Sequence, residues 1–236
     1  VATAEKVMSF ISEEARKKSV ELGEERGSFP NFEGSIWDKM GYKDMRNATV
    51  TSIAPTGTIS IIAGTSSGIE PFFAISYIRN VMGTQLFEVN PVFEEIAKER
   101  KFYSMDLLTK IAKNGSIQNI DEIPSDVRRV FVTALDIAPE WHVKMQSAFQ
   151  KYTDNAVAKT VNLPNEATLE DVRRVFLLAY KLKCKGITVY RYGSKSEQVL
   201  TIGSTSGASS QSLSTERYVQ VNEEYSGGCP TGTCPF

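Results

Sequence analysis

The spacing of apolar residues predicts that helices make up much of the chain. Five apolar side chains recur at roughly helical spacing among Glu, Lys and Arg in residues 2–25: Val7, Phe10, Ile11, Ala15 and Leu22. This pattern predicts an amphipathic helix that ends at Gly27. Further helices are predicted over residues 36–40, 91–101, 105–113, 125–135, 139–152 and 169–182.

Residues at the ends of two of these helices strengthen the prediction. Asn90 is a candidate cap for a helix with Pro91 in its first turn. Thr168 is a candidate cap for the helix over residues 169–182, whose first turn is acidic. In the helix over residues 139–152, four apolar side chains fall on one side: Trp141, Met145, Ala148 and Phe149.

Short apolar, β-branched stretches predict strands over residues 49–54, 72–80 and 186–190. The first of these runs into a segment of small polar residues, and the last directly follows a predicted helix. Helices that alternate with single strands are typical of α/β architecture. We therefore predict an α/β fold.

The composition narrows the class of protein. The chain has 236 residues, enough for one large domain or two small ones. A net charge of −1 gives no basic excess for nucleic acid or an anionic membrane, and no apolar run approaches the about 20 residues that span a bilayer. Three cysteines are too few for a disulfide framework, so we expect a cytoplasmic protein with reduced thiols.

The composition changes after Leu200. Residues 201–217 are rich in Ser, Thr and Gly and contain few large apolar side chains, which is typical of a flexible linker. We therefore predict a folded part over residues 1–200 and a flexible C-terminal tail over residues 201–236.

A phosphate-binding turn is the first chemical candidate. Residues 55–60 read Pro-Thr-Gly-Thr-Ile-Ser and lie between a predicted strand and a predicted helix start. Backbone N–H groups at a helix N-terminus favour anions, and the hydroxyls of Thr56, Thr58 and Ser60 can add hydrogen bonds. Gly57 lets the backbone approach a ligand closely. The alternative is a connection whose hydroxyls only cap the helix; no Gly-Lys-Ser/Thr follows, so this is not a P-loop.

The two cysteines near the C-terminus are the second candidate. Cys229 and Cys234 are flanked by Gly and Pro and follow the predicted linker. A tether of this kind can carry a dithiol into an active site for thiol–disulfide exchange. Half of a zinc site is one alternative, although the chain offers no second ligand pair. A disordered end with incidental cysteines is the other.

The remaining candidate functional residues are more typical of structural roles than of catalytic ones. Cys184 lies between a predicted helix and strand, where a cysteine usually packs as a small apolar residue. Tyr190 and Tyr192 are at a strand end, where packed aromatic residues are more common than radical relays. His142 is the only histidine, and no nucleophile lies near it in the sequence.

Several of these segments resemble ribonucleotide reductase large subunits, and among them the adenosylcobalamin-dependent class. The resemblance is carried by residues 46–60, RNATVTSIAPTGTIS, and by residues 64–71, GTSSGIEP. The large subunits also have segments similar to residues 141–150, 154–164 and 185–191. The resemblance covers roughly residues 1–200, and the Cys-x4-Cys terminus resembles the reductase tail.

The resemblance implies a fold, a reaction and its partners. The chain would supply the later strands and helices of a ten-stranded α/β barrel that reduces ribonucleotides to deoxyribonucleotides by thiyl-radical chemistry. Cys229 and Cys234 would re-reduce an active-site disulfide and receive electrons from a thioredoxin-like or other thiol reductant. Adenosylcobalamin would be the cofactor of the complete enzyme, and an N-terminal segment or subunit its partner. The residues that would hold the phosphates of a ribonucleoside di- or triphosphate are Thr56, Gly57, Thr58, Ile59 and Ser60.

Departures from the family pattern limit what the chain can do alone. The sequence contains no Asn-x-Cys-x-Glu motif for the radical cysteine, and Cys184 is the only cysteine outside the tail. We therefore expect the chain to be inactive by itself, as a fragment or a subunit. Tyr190 is followed by Arg191 rather than by a second tyrosine, which disfavours tyrosyl radical transfer. Ala158 stands where the family's Asp-Asn-Ala-Val-Ser-Lys-Thr run has Ser.

Three other functions remain open from the sequence. The chain could be a nucleotide- or phosphate-binding module without reductase activity, which would bind nucleotide in isolation. It could be a non-catalytic subunit that completes the barrel of a split reductase. It could also be a thiol–disulfide exchange protein, in which case the tail would act without residues 1–200.

Overall fold

The computed structural model describes residues 1–81, 84–194, 200–201 and 220–221. These residues form two compact units. Unit 1 comprises residues 1–55, 139–161 and 168–189, and unit 2 comprises residues 56–138, 162–167 and the described residues from 190 onward. Apart from Thr201, the predicted linker lies outside the described residues, and so do both tail cysteines.

The described residues contain both helices and strands, as expected of an α/β protein. The helices are α1 (Ala2–Arg26), α2 (Ile36–Lys39), α3 (Gly57–Ala63), α4 (Pro91–Glu99), α5 (Met105–Asn114), α6 (Ser125–Val130), α7 (Pro139–Gln150) and α8 (Leu169–Lys181). The strands are β1 (Ser76–Val81), β2 (Thr84–Val89), β3 (Thr160–Leu163), β4 (Thr188–Arg191), β5 (Leu200–Thr201) and β6 (Gln220–Val221). β3 pairs with β4, and a second sheet has the strand order β2-β1-β6-β5.

The seven predicted helices are confirmed, and their capping signals explain where two of them begin. The Asn90 side chain accepts a hydrogen bond from Phe93 N at the start of α4. Thr168 and Asp171 form a reciprocal capping box at the start of α8. α6 is shorter than predicted, because the carboxylate of Asp136 accepts hydrogen bonds from the N–H and hydroxyl of Thr133 and holds a turn there.

The prediction of a strand over residues 49–54 is wrong. Only Ile53 forms a bridge, parallel to Val157. The preceding residues are held by a side chain instead: Val50 N donates to Asp154 Oδ2 over 2.9 Å. The strand predicted over residues 72–80 begins only at Ser76, and β2, β3, β5 and β6 were not predicted.

α1 does not bury the apolar face that its sequence pattern suggests. Its buried residues are mostly small: Ala4, Met8, Ser12, Ser19 and Gly23. Val7, Phe10 and Ile11 are exposed. Small residues allow close approach, since a Cβ atom built on Gly23 would lie 2.9 Å from Met45 N.

α7 likewise buries a different face from the predicted one. Of its four predicted residues only Ala148 is buried, and Trp141 is exposed with Lys144 Nζ 4.4 Å from its ring centroid. The buried residues of α7 are His142, Val143, Gln146, Ala148 and Gln150. The two glutamines can be buried because their amides donate to main-chain carbonyl groups of neighbouring segments.

Unit 2 has a core of aliphatic and aromatic side chains around α4 and α5. Phe93 stacks edge-to-face on Phe102 and on Phe131, with ring centroids 6.2 and 5.3 Å apart. The buried members of this core are Ile75, Phe93, Ala97, Leu107, Leu108, Ile111, Ile117, Ile120, Ile123 and Val127. In the described part of the chain, no helix has the length and apolar character needed to cross a membrane.

Candidate phosphate-binding site

Residues 56–60, the candidate phosphate loop, form the entry into α3 in unit 2. Thr56 precedes the helix with a φ of 53°, a left-handed conformation that β-branched residues rarely adopt. Two contacts hold it there: Ser60 N donates to Thr56 O over 3.0 Å, and Gly68 N donates to Thr56 Oγ1 over 2.8 Å. Backbone strain of this kind concentrates at ligand-binding and active sites.

The second small-residue segment, residues 64–71, contacts this loop. Thr65 N donates to Ser60 O over 3.0 Å, and Gly68 N reaches Thr56 as described above. Gly64 and Gly68 both have positive φ values, which lets the chain turn back toward the start of α3. Two of the segments that carry the family resemblance, residues 46–60 and 64–71, are thus joined by hydrogen bonds.

The three hydroxyl groups of the loop differ in availability. Thr58 is exposed, and Thr56 is half-buried with its oxygen accepting from Gly68 N. Ser60 is buried, and its hydroxyl donates to Gly57 O over 2.6 Å. A phosphate at this turn would therefore meet the Thr58 hydroxyl more readily than that of Ser60.

The candidate phosphate loop offers an anion neutral hydrogen-bond donors rather than positively charged side chains. The first N–H groups of a helix have no acceptor within the helix, so those of Gly57, Thr58 and Ile59 are the main-chain donors that α3 can offer an anion. Residues 56–71 contain no Lys or Arg, and Glu70 is their only charged residue. Ile59 is exposed beside these donors.

A pocket of about 370 Å³ lies within unit 1, and its walls come from three chain segments, residues 52–55, 156–159 and 186–188. Ala158 N donates to Ile53 O over 2.8 Å, and the amide of Gln146 donates to Val157 O and Gly186 O over 3.0 and 2.8 Å. Gln146 therefore fixes the spacing of two of the walls. Gln146 was not predicted as a site residue; the sequence signal that could have indicated it is a second glutamine four positions later on the same helix.

Lys159 lines the same pocket and is also a residue that the sequence analysis missed. It is buried, and its Nζ lies 3.0 Å from Nδ1 of the buried His142. The predicted structural role of His142 agrees with this burial. A buried amine needs such a polar partner, because an unpaired charge is costly to remove from water.

The residues assigned structural roles are held within their own units. Arg191 donates to Asn165 O over 2.7 Å, and Tyr192 N donates to Leu163 O over 2.9 Å. Cys184 is partly buried in unit 1, and burial raises the pKa of its thiol. A raised thiol pKa lowers the fraction of Cys184 that is thiolate at neutral pH.

Comparisons with known proteins place the chain in a family. The family described as "Ribonucleotide reductase, barrel domain" matches residues 1–190. Vitamin B12-dependent ribonucleoside-diphosphate reductase of Thermoplasma acidophilum is 48% identical over 98% of this chain and 31% of its own length. The protein of the same name from Mycobacterium tuberculosis is 47% identical over 100% of this chain and 32% of its own length.

A solved structure shows the same fold. The alpha subunit of class Id ribonucleotide reductase from Actinobacillus ureae matches with a TM-score of 0.68 and 24% identity, over 81% of this chain and 34% of that one. The chain thus spans about a third of the length of each of these three proteins. The match over residues 1–190 shows that the chain belongs to the ribonucleotide reductase barrel-domain family.

Proposed function

We propose that this chain is part of a vitamin B12-dependent ribonucleotide reductase that converts ribonucleoside diphosphates to deoxyribonucleotides. The observation that carries the proposal is an identity of 47–48%, over nearly the whole chain, to two relatives with that name. The remaining two-thirds of such a protein would supply the radical cysteine and the other strands of a ten-stranded barrel. The protein would act in the cytoplasm.

The candidate phosphate loop would hold the substrate. The main-chain donors of Gly57, Thr58 and Ile59, together with the hydroxyls of Thr56, Thr58 and Ser60, would bind the phosphates. Anchoring the charged end of the nucleotide fixes its ribose, and abstraction of a hydrogen atom from the ribose requires closely held reactants. The loop would therefore contribute mainly to substrate affinity and position.

The tail would supply electrons. Cys229 and Cys234 would exchange with a disulfide that forms in the active site at each turnover, and a thioredoxin-like or other thiol reductant would restore them. The composition of residues 201–217 supports this role, because a flexible tether allows the thiols to reach two partners in turn.

Adenosylcobalamin carries its cobalt in a corrin ring, so its site needs a surface for the ring rather than a cluster of metal-ligating side chains in the described residues. These residues contain no cluster of three or more His, Cys, Asp or Glu side chains that could hold a metal ion. The only histidine of the chain, His142, is buried against Lys159. In the proposed enzyme the contacts to adenosylcobalamin would be shared between this chain and the remaining polypeptide, and the cofactor would supply the radical chemistry.

Substitution of Thr58 tests the proposed loop. In the enzyme reconstituted with the remaining polypeptide, Thr58→Val should raise the KM for the ribonucleotide about tenfold and change kcat little, since a hydrogen bond to a charged group is worth about 1.5–3 kcal/mol. Thr58→Ser keeps the hydroxyl and should keep the KM. Ser60→Ala should have a smaller effect, because the Ser60 hydroxyl already donates to Gly57 O. An unchanged KM in Thr58→Val would contradict the assignment.

The tail has its own test. Cys229→Ser and Cys234→Ser should each preserve turnover with dithiothreitol, which is small enough to reach an active-site disulfide directly. Turnover driven by a protein dithiol should fall to near zero in both variants. If the two variants turned over equally fast with dithiothreitol and with the protein dithiol, the result would contradict the proposed relay.

A further inference from the structure

Strand β1 of unit 2 has two edges, and one of them is covered by β2. The two strands pair antiparallel along the whole length of β1. The strand is attached to the core of the unit through Ile75, which directly precedes it: Ile75 is buried, and its carbonyl oxygen accepts from Asn90 N over 2.8 Å. A second edge left open would present unpaired N–H and C=O groups, which another extended segment can use for pairing.

The second edge of β1 is occupied by β6, a segment of the predicted C-terminal tail. Ile78 pairs with Gln220 and Arg79 pairs with Val221, and the two strands run parallel. In the sheet that the structure describes, β5 pairs antiparallel with β6 alone, so the order is β2-β1-β6-β5. Among the described strands, β6 therefore joins the C-terminal segment to β1.

The place of β6 in the sequence limits how far the tail cysteines can lie from unit 2. Cys229 is eight residues beyond Val221, so it lies no more than about 26–29 Å from the end of β6. Without the pairing of β6, the nearest preceding anchor among the described residues outside β5 would be Ser194, whose N–H donates to Arg191 O over 3.1 Å. Ser194 is 35 residues before Cys229, which would allow a span of roughly 116–126 Å.

We propose that β6 is a docking strand that anchors the tail on the second edge of β1 and so keeps Cys229 and Cys234 within reach of the candidate phosphate loop, which belongs to the same unit. Addition of an extended segment to an open strand edge is a common mode of recognition, in which main-chain hydrogen bonds supply the affinity. This inference rests on the proposed tail relay, in which the two thiols become a disulfide as they reduce the disulfide of the active site.

The pairing of β6 with β1 is short, as a tail that must also meet a reductant requires. Two residue pairs join the described strands, so few main-chain hydrogen bonds break when the tail leaves β1. The effective concentration of a tethered group falls roughly as the −3/2 power of the tether length, so a change from 8 to 35 residues lowers it about ninefold. The docked tail therefore favours exchange at the active site, and the released tail can reach a separate protein.

The test compares two insertions of the same segment of about 16 Gly and Ser residues, a composition that behaves as a flexible chain. One insertion follows Asn222, between β6 and the cysteines, and the other follows Gly207, between β5 and β6. If the tail is anchored at β6, the insertion after Asn222 lengthens the tether from 8 to about 24 residues and lowers the effective concentration of Cys229 at the loop about fivefold. The insertion after Gly207 is the matched control and should leave this concentration unchanged.

The readout is a disulfide that the chain forms by itself, so it requires no reductase activity. Thr58 is exposed in the candidate phosphate loop. Thr58→Cys, combined with Cys184→Ser and Cys234→Ser, places a thiol at the loop and leaves Cys229 as its partner. Oxidised glutathione accepts the two electrons as the disulfide forms, and the equilibrium in glutathione buffers gives the effective concentration of Cys229 at the loop.

A pair of proline substitutions tests the docking strand directly. Gln220→Pro together with Val221→Pro removes both N–H groups that β6 can donate, and the loss of docking should lower the effective concentration about ninefold. Ser212→Pro, in the predicted linker, is the control and should leave it unchanged.

The inference is overturned if the two insertions have equal effects, or if the insertion after Asn222 fails to lower the effective concentration. It is also overturned if the proline pair behaves like Ser212→Pro. If these measurements agree with docking but Cys229→Ser does not slow turnover driven by a protein dithiol, the proposed relay is contradicted and the docking of β6 stands.

Discussion

At the scale of single residues, Asp154 connects separate parts of unit 1. Its carboxylate accepts from Arg16 Nη2 over 3.2 Å and from Val50 N over 2.9 Å. Its own N–H donates to Thr51 Oγ1 over 2.9 Å. The side chain is almost fully buried, so removing its carboxylate would deprive Arg16 and the N–H of Val50 of a partner that water could not easily replace.

Asp154→Ala should therefore destabilise the chain by about 1–3 kcal/mol, the cost of leaving a partly buried guanidinium group and a partly buried N–H without their partner. The free energy of unfolding in urea measures this effect, provided that the m-value is unchanged. Asp126→Ala is the control, because Asp126 pairs with Arg100 at the surface and such pairs contribute little. If the two substitutions lowered the free energy of unfolding equally, the result would contradict the proposed stabilising role of Asp154.

Cys184 should be the slowest of the three cysteines to react with an alkylating reagent. Burial raises the pKa of its thiol, and only the thiolate is nucleophilic. Its alkylation rate should keep rising with pH beyond the ordinary pKa of a cysteine, about 8.5. Mass spectrometry after timed labelling measures the three rates separately. Faster labelling of Cys184 than of Cys229 and Cys234 at neutral pH would contradict both its burial and the proposed accessibility of the tail.

At the scale of elements, the packing of α1 reverses the usual effect of glycine in a helix. Replacing glycine by alanine in a helix interior normally stabilises it by about 0.5–1 kcal/mol. At Gly23 a Cβ atom would lie 2.9 Å from Met45 N and 3.1 Å from Arg46 N, both main-chain atoms. The helix and the residues around Met45 would have to move apart.

Gly23→Ala should therefore destabilise the chain by about 1–3 kcal/mol, the range for overpacking. Thermal unfolding followed by circular dichroism measures this change. Glu24→Ala, at the exposed neighbouring position, should change stability little. A Gly23→Ala variant as stable as the wild type would show that α1 does not pack as closely as described.

The sequence predicts where helices occur better than which side they bury. Capping residues such as Asn90 and Thr168 act within a few positions of themselves, so their effect is readable from the sequence. The buried sides of α1 and α7 depend on distant segments: Gly23 faces Met45, and Gln146 bonds to Gly186 O. The strand prediction over residues 49–54 failed for the same reason, because hydrogen bonds with the distant Asp154 take the place of strand pairing.

At the scale of the whole molecule, the sequence singled out the candidate phosphate loop, but its internal contacts required the structure. Composition and resemblance led to Thr56 and Ser60, and nothing in the sequence shows that Gly68 N reaches Thr56 or that Ser60 donates to Gly57 O. Lys159 was missed because its polar partner, His142, lies 17 positions away. The family was recognisable because its motifs are contiguous in sequence.

The central claim is that this chain completes a reductase, and the most direct measurement is deoxynucleotide formation by mixed polypeptides. The chain is combined with the remaining polypeptide of the Thermoplasma acidophilum relative, a ribonucleoside diphosphate, adenosylcobalamin and dithiothreitol. We predict deoxynucleotide formation that requires both polypeptides and the cofactor. No product from a folded, associated pair would contradict the claim, and product formed without this chain would contradict it equally.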